Sequence, residues 1–76
     1  MIGCMTTGYK DKNLFDKDVE IARQMVNSYG GKRISYTEIG GKTITYQFKF
    51  NDITVDIAVF YDIIDSYGVI EMQLTR

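Results

Sequence analysis

Residues Ile44 to Val59 read ITYQFKFNDITVDIAV. Ile44, Tyr46, Phe48 and Phe50 fall on even positions, and Ile53, Val55, Ile57 and Val59 on odd ones. Successive side chains of a strand point to opposite faces, so each half of this stretch has the pattern of a half-buried strand. Asn51-Asp52 separates the halves. Directly opposed residues of an antiparallel pair share a face, and a two-residue loop sets Phe50 against Ile53, Phe48 against Val55, Tyr46 against Ile57 and Ile44 against Val59. Pattern and turn agree. Asn and Asp both tolerate positive φ, so the expected connection is a type I′ turn.

The alternation extends in both directions, giving four expected strands at about 32–39, 42–50, 53–61 and 68–75. For Ile34 and Tyr36 to share a face with Ile44 and Tyr46, the first hairpin needs an odd loop. The expectation is Ile39-Gly40-Gly41, with Gly41 left-handed in a bulge. For the last hairpin, a four-residue loop Ile64-Asp65-Ser66-Tyr67 places Tyr61 opposite Ile70. One sheet face then carries the aliphatic and aromatic residues, down to Ile70, Met72 and Leu74. The other carries Thr43, Thr45, Gln47, Asp56, Glu71 and Gln73, with Ala58 and Phe60 as apolar exceptions.

Before Gly30-Gly31 the period changes. Phe15, Val19, Ala22, Val26 and Tyr29, with Met25 alongside, recur at three- and four-residue steps and make one helical stripe. Lys17, Glu20, Arg23, Gln24 and Asn27 take the other side. The helix is expected over 13–29, capped by Asn13 or Asp16 and closed by Gly30. Residues 1–12 supply either a short edge strand or an arm, the alternative course for the arm being across the polar sheet face. The predicted fold is α+β: one amphipathic helix on one face of a four-stranded antiparallel meander, in a single domain over 1–76. A chain of 76 residues holds one core and buries only about 60% of its unfolded surface.

Composition narrows the function. The chain has no histidine, tryptophan or proline and a single cysteine, Cys4. The commonest general base and metal ligand is therefore missing, and Cys4 has no histidine to activate it. A non-enzymatic protein without cofactor or metal is expected. The glycine pairs at 30–31 and 40–41 do not form a phosphate-binding loop, because Gly30-Gly31 leads from a helix into a strand, the reverse of the required order. No apolar run approaches the roughly 18 residues of a membrane span. With no intrachain disulfide available, a cytoplasmic location is expected.

Net charge is −1, unevenly spread. Residues 1–50 hold eight Lys or Arg against five Asp or Glu, and residues 51–76 hold one against five. The acidic set Asp52, Asp56, Asp62, Asp65 and Glu71 suits phosphate mimicry or an oxygen-ligated cation, although turns favour Asp in any case. Phe60, beside Ala58 on the open face, has the character of an apolar centre with a polar rim. The segment Tyr61 to Tyr67, YDIIDSY, joins aromatic, aliphatic and acidic groups as interface anchors do. Asp56, Phe60, Asp62, Ile64, Asp65, Tyr67 and Glu71 are thus the candidate partner-binding residues. Lys32, Arg33, Lys42 and Lys49 read as edge-strand guards, and direct binding of single-stranded nucleic acid is disfavoured because the aromatics near them belong to the helix side.

These features point to a protein-binding module for a larger, basic, nucleic-acid-binding partner. In size and composition the chain is similar to phage-encoded inhibitors of nucleases or of CRISPR effectors, anti-CRISPR proteins among them, and no motif ties it to a family. A homodimeric structural or regulatory subunit is the alternative expectation.

Overall fold

The computed structural model describes residues 2–38 and 41–76, with 35–38 and 41–42 described as backbone. Strand β1 (Gly3–Tyr9) precedes helix α1 (Lys12–Ser28), and β2 (Lys32–Glu38), β3 (Gly41–Phe50), β4 (Ile53–Asp62) and β5 (Tyr67–Thr75) follow. The sheet is antiparallel in the order β1-β5-β4-β3-β2, with the helix against one face. The fold class is α+β as read from the pattern. Of residues 1–12, Gly3–Tyr9 form an edge strand: β1 pairs with β5 from Gly3↔Leu74 to Tyr9↔Gly68, beside the sheet and not across its polar face.

The helix starts one residue earlier than expected, and its cap is neither Asn13 nor Asp16. Asp11 has extended backbone dihedrals, and its carboxylate accepts a hydrogen bond from the Asn13 N–H at 2.9 Å. Only Lys10 separates the end of β1 from this residue, so Asp11 is the first carboxylate placed where the chain turns into the helix. At the other end Gly30 has φ +64°, and the Gly31 N–H reaches the Val26 carbonyl at 2.8 Å, while Gly30 donates to Asn27. This is a Schellman closure, in which the left-handed glycine satisfies carbonyls the last turn would leave bare.

The β3–β4 register matches the reading from Phe50↔Ile53 to Ile44↔Val59. The turn type does not: Asn51 has φ 58°, but Asp52 is not left-handed, so this is not type I′. The β2–β3 hairpin is a larger correction. Glu38 pairs with Gly41, a separation of two residues, and Ile34 therefore meets Thr45 on the face away from the helix, where it is 48% exposed. Tyr36 pairs with Thr43, and Arg33 takes the register position opposite Tyr46. The expected bulge at Gly41 is replaced by strand pairing, and the conformation of residues 39 and 40 lies outside the described residues. An odd loop is needed only if the helix-side positions of β2 must be apolar. An edge strand at the margin of the sheet carries no such requirement.

The β4–β5 hairpin keeps its faces but shifts register by two. Asp62 pairs with Tyr67, the loop is Ile63 to Ser66, and Tyr61 opposes Gly68 instead of Ile70. Gly68 explains the choice. A Cβ there would run into the Phe15 ring, so the helix needs a glycine at this position, and Ile70 in its place would push Phe15 away.

The core lies where the helix crosses β3 and β4: Phe15, Ala22 and Val26 pack on Tyr46, Phe48, Val55, Ile57 and Val59, all buried. Aromatic pairs close both ends. Phe15 sits between Tyr9 and Tyr61 at centroid distances of 5.6 and 5.4 Å, and Tyr29 stacks on Phe48 at 5.1 Å. No helix among the described residues is long and apolar enough to cross a membrane.

Candidate functional site

The β4–β5 hairpin is built by its first residue. The Asp62 carboxylate accepts the N–H groups of Ile64 at 3.0 Å and Asp65 at 3.2 Å, and Ser66 adopts φ 51°. These bonds hold the loop backbone independently of its apolar side chains. Ile63 and Ile64 are left facing solvent, 73% and 83% exposed. Two adjacent isoleucines in water on a braced loop form an exposed apolar knob.

Below the knob, the sheet face away from the helix carries cross-strand pairs Asp62↔Tyr67, Phe60↔Val69, Ala58↔Glu71 and Asp56↔Gln73. Phe60 is half-buried, with Val69 and Thr43 as its cross-strand neighbours. Tyr67 lies over Gly8, whose missing side chain leaves room for the phenol. Gln47 donates to Asp56 at 2.7 Å and Gln73 donates to Glu71 at 3.0 Å. Neutral amides orient these carboxylates without cancelling their charge. Among the described residues, Asp56, Asp62, Asp65 and Glu71 take part in no salt bridge.

The structure thus brings Asp56, Phe60, Asp62, Tyr67 and Glu71 onto one face, with Ile64 and Asp65 at its tip. Asp52 separates from the set. It lies in the β3–β4 turn at the other end of the sheet, paired with Arg76 at 3.3 Å. Among the described residues no three carboxylate or cysteine side chains gather closely enough to hold a metal.

A second surface was not foreseen. Five strands spaced about 4.8 Å apart span roughly 19 Å, whereas one helix is only about 10 Å across, so α1 cannot cover the face it packs on. A recess of about 220 Å³ remains between the helix and β1, lined by Met5, Thr7, Ile21, Met25 and Met72. Another of about 330 Å³ lies beside the helix C-terminus, lined by Met25, Tyr29, Phe50, Ile53, Met72 and Leu74. The helix sequence held a signal for it. At 100° per residue, Leu14, Ile21 and Met25 fall within about 40° of one another, a second apolar line about 100° from the Phe15 stripe.

No family model, curated protein or solved structure matches this chain.

Proposed function

We propose that the chain is a non-catalytic protein-binding module that inserts the Ile63-Ile64 knob into an apolar recess of a basic partner. The single observation behind this reading is the knob, two adjacent isoleucines held in solvent by the Asp62 carboxylate. Exposing both has a hydrophobic cost that the fold does not require, and a pocket on a partner relieves it. The charge around the knob selects the partner. Asp56, Asp62, Asp65 and Glu71 present negative charge on a stiff sheet and hairpin, which favours a surface rich in Lys and Arg and accelerates encounter with it. Proteins that grip nucleic-acid phosphates have such surfaces, so the module acts as an inhibitor that occupies the phosphate-binding site of a nucleic-acid-binding protein.

Affinity capture from the native host, with the wild-type chain and the Ile63→Ser/Ile64→Ser variant in parallel, identifies the partner. Titration of that partner with labelled nucleic acid and increasing chain then tests the mechanism. The expected result is displacement of the nucleic acid by wild type, weakening steeply with salt. The double variant should lose at least about 30-fold, the scale of a hot-spot pair. Equal displacement by both proteins rejects the knob as the anchor. Capture without displacement rejects inhibition at the phosphate site, and a direct shift of labelled single-stranded RNA by the chain at low salt would favour nucleic-acid binding instead.

A further inference from the structure

The strand order leaves two free edges, β1 and β2, and they differ in chemistry. β2 carries Lys32, Arg33 and Glu38, the charges that keep an edge from pairing with another chain. β1 reads Gly3-Cys4-Met5-Thr6-Thr7-Gly8-Tyr9, with no charge and no proline over seven residues. Its outer row of backbone groups is a template for a further strand, and five successive residues, Cys4 to Gly8, are exposed. We propose that two copies of this chain join edge to edge through β1, antiparallel about Thr6, in a continuous ten-stranded sheet with both helices on one side.

Backbone parity permits a second copy in this register. Alternate residues of β1 direct their N–H and C=O groups to β5, and the rest direct theirs outward. A two-fold axis at Thr6 pairs Gly3 with Tyr9, Cys4 with Gly8, Met5 with Thr7, and Thr6 with itself. Each pair joins odd to odd or even to even, so outward groups meet outward groups along the whole strand, whichever set faces out. The side chains fit as well. On the face away from the helix the contacts are Thr6 on Thr6 and Cys4 on Gly8, where Tyr67 already fills the space above the glycine and only a small neighbour is accommodated. On the helix side, Met5, 57% exposed, falls opposite Thr7 of the partner copy, at the rim of the recess that the partner's Thr7 and Ile21 line.

The axis also explains why the occupant is this chain. An uncharged edge has no electrostatic means of selecting a foreign strand, but it meets its own copy without like-charge repulsion. Isologous pairing then buries the same exposed methionine twice. The hairpin knob is not part of this contact, so the dimer stands or falls independently of the proposed partner binding.

Disulfide trapping in the full chain tests the register. In the Cys4→Ser background, Thr6→Cys places two thiols across the axis with Cα atoms about 4.5–5.5 Å apart, within bridging range. Thr7→Cys places them about 8 Å apart, beyond it. Mild oxidation should convert the Thr6→Cys protein to a covalent dimer, and should leave the Thr7→Cys protein and wild type largely uncrosslinked. Sedimentation velocity should show a concentration-dependent dimer for wild type, and Thr6→Lys should raise its dissociation constant at least tenfold with far-UV circular dichroism unchanged. The proposal is overturned by a wild-type chain that stays monomeric at millimolar concentration, by equal trapping at positions 6 and 7, or by a dimer that Thr6→Lys leaves intact. If Thr6→Lys fails to fold, the trapping series still decides.

Discussion

Tyr9 ties the first strand to the helix through one bond. Its hydroxyl donates to the Asp18 carboxylate at 2.5 Å, and its ring packs edge-on against Phe15. Burial, then the hydrogen bond and the negative charge of Asp18, push the Tyr9 pKa from 10.0 up to about 12. A phenol raised in the folded state contributes stability that is fully present below pH 10 and is lost as the pH rises through 12. Tyr9→Phe should therefore cost about 1 kcal/mol at pH 7. It should also flatten the decline in stability between pH 10 and 12, as read by urea unfolding of both proteins at pH 7 and pH 11.5. Tyr9 lies in the stretch expected as an edge strand or an arm, and its partner was not legible. Asp18 lies nine residues away, and only the crossing of β1 and α1 brings the two together.

At the level of the helix, neighbouring residues have opposite fates. Phe15 is buried at the crossing with β4 and β5, and Leu14 is 55% exposed. Phe15→Ala should cost about 3–5 kcal/mol, close to the whole stability expected of so small a domain, and leave much of the chain unfolded. Leu14→Lys should stay within about 0.5 kcal/mol of wild type in the same urea titration. The cap gives an intermediate case: Asp11→Ala removes the acceptor of the Asn13 N–H and should cost about 1 kcal/mol. The stripe itself was readable because helical periodicity is local. The cap was not, since Asn13, Asp11 and Asp16 all have capping side chains, and the choice among them depends on where β1 releases the chain.

Across the whole molecule, the dominant fact is a mismatch between one helix and five strands. The apolar recesses on either side of Met25 should make the native protein enhance ANS fluorescence. Met25→Lys should reduce that signal by about half while far-UV circular dichroism stays unchanged, a result that separates native grooves from a loosened core. The central hairpin, its register and the apolar face of β3 to β5 follow from the order of residues alone, because alternation with a fixed two-residue turn leaves one parity free of conflict. The candidate residues Asp56, Phe60 and Glu71 share a face by the same alternation, whereas Tyr67, expected in the last loop, pairs with Asp62 as the first residue of β5. The flipped face of β2, the two-residue shift of β5 under Phe15 and the open grooves depended on packing in three dimensions. Strand parity is a property of the backbone and can be counted along the chain, whereas the area a helix covers, and the glycine that must lie beneath its phenylalanine, exist only once the layers meet.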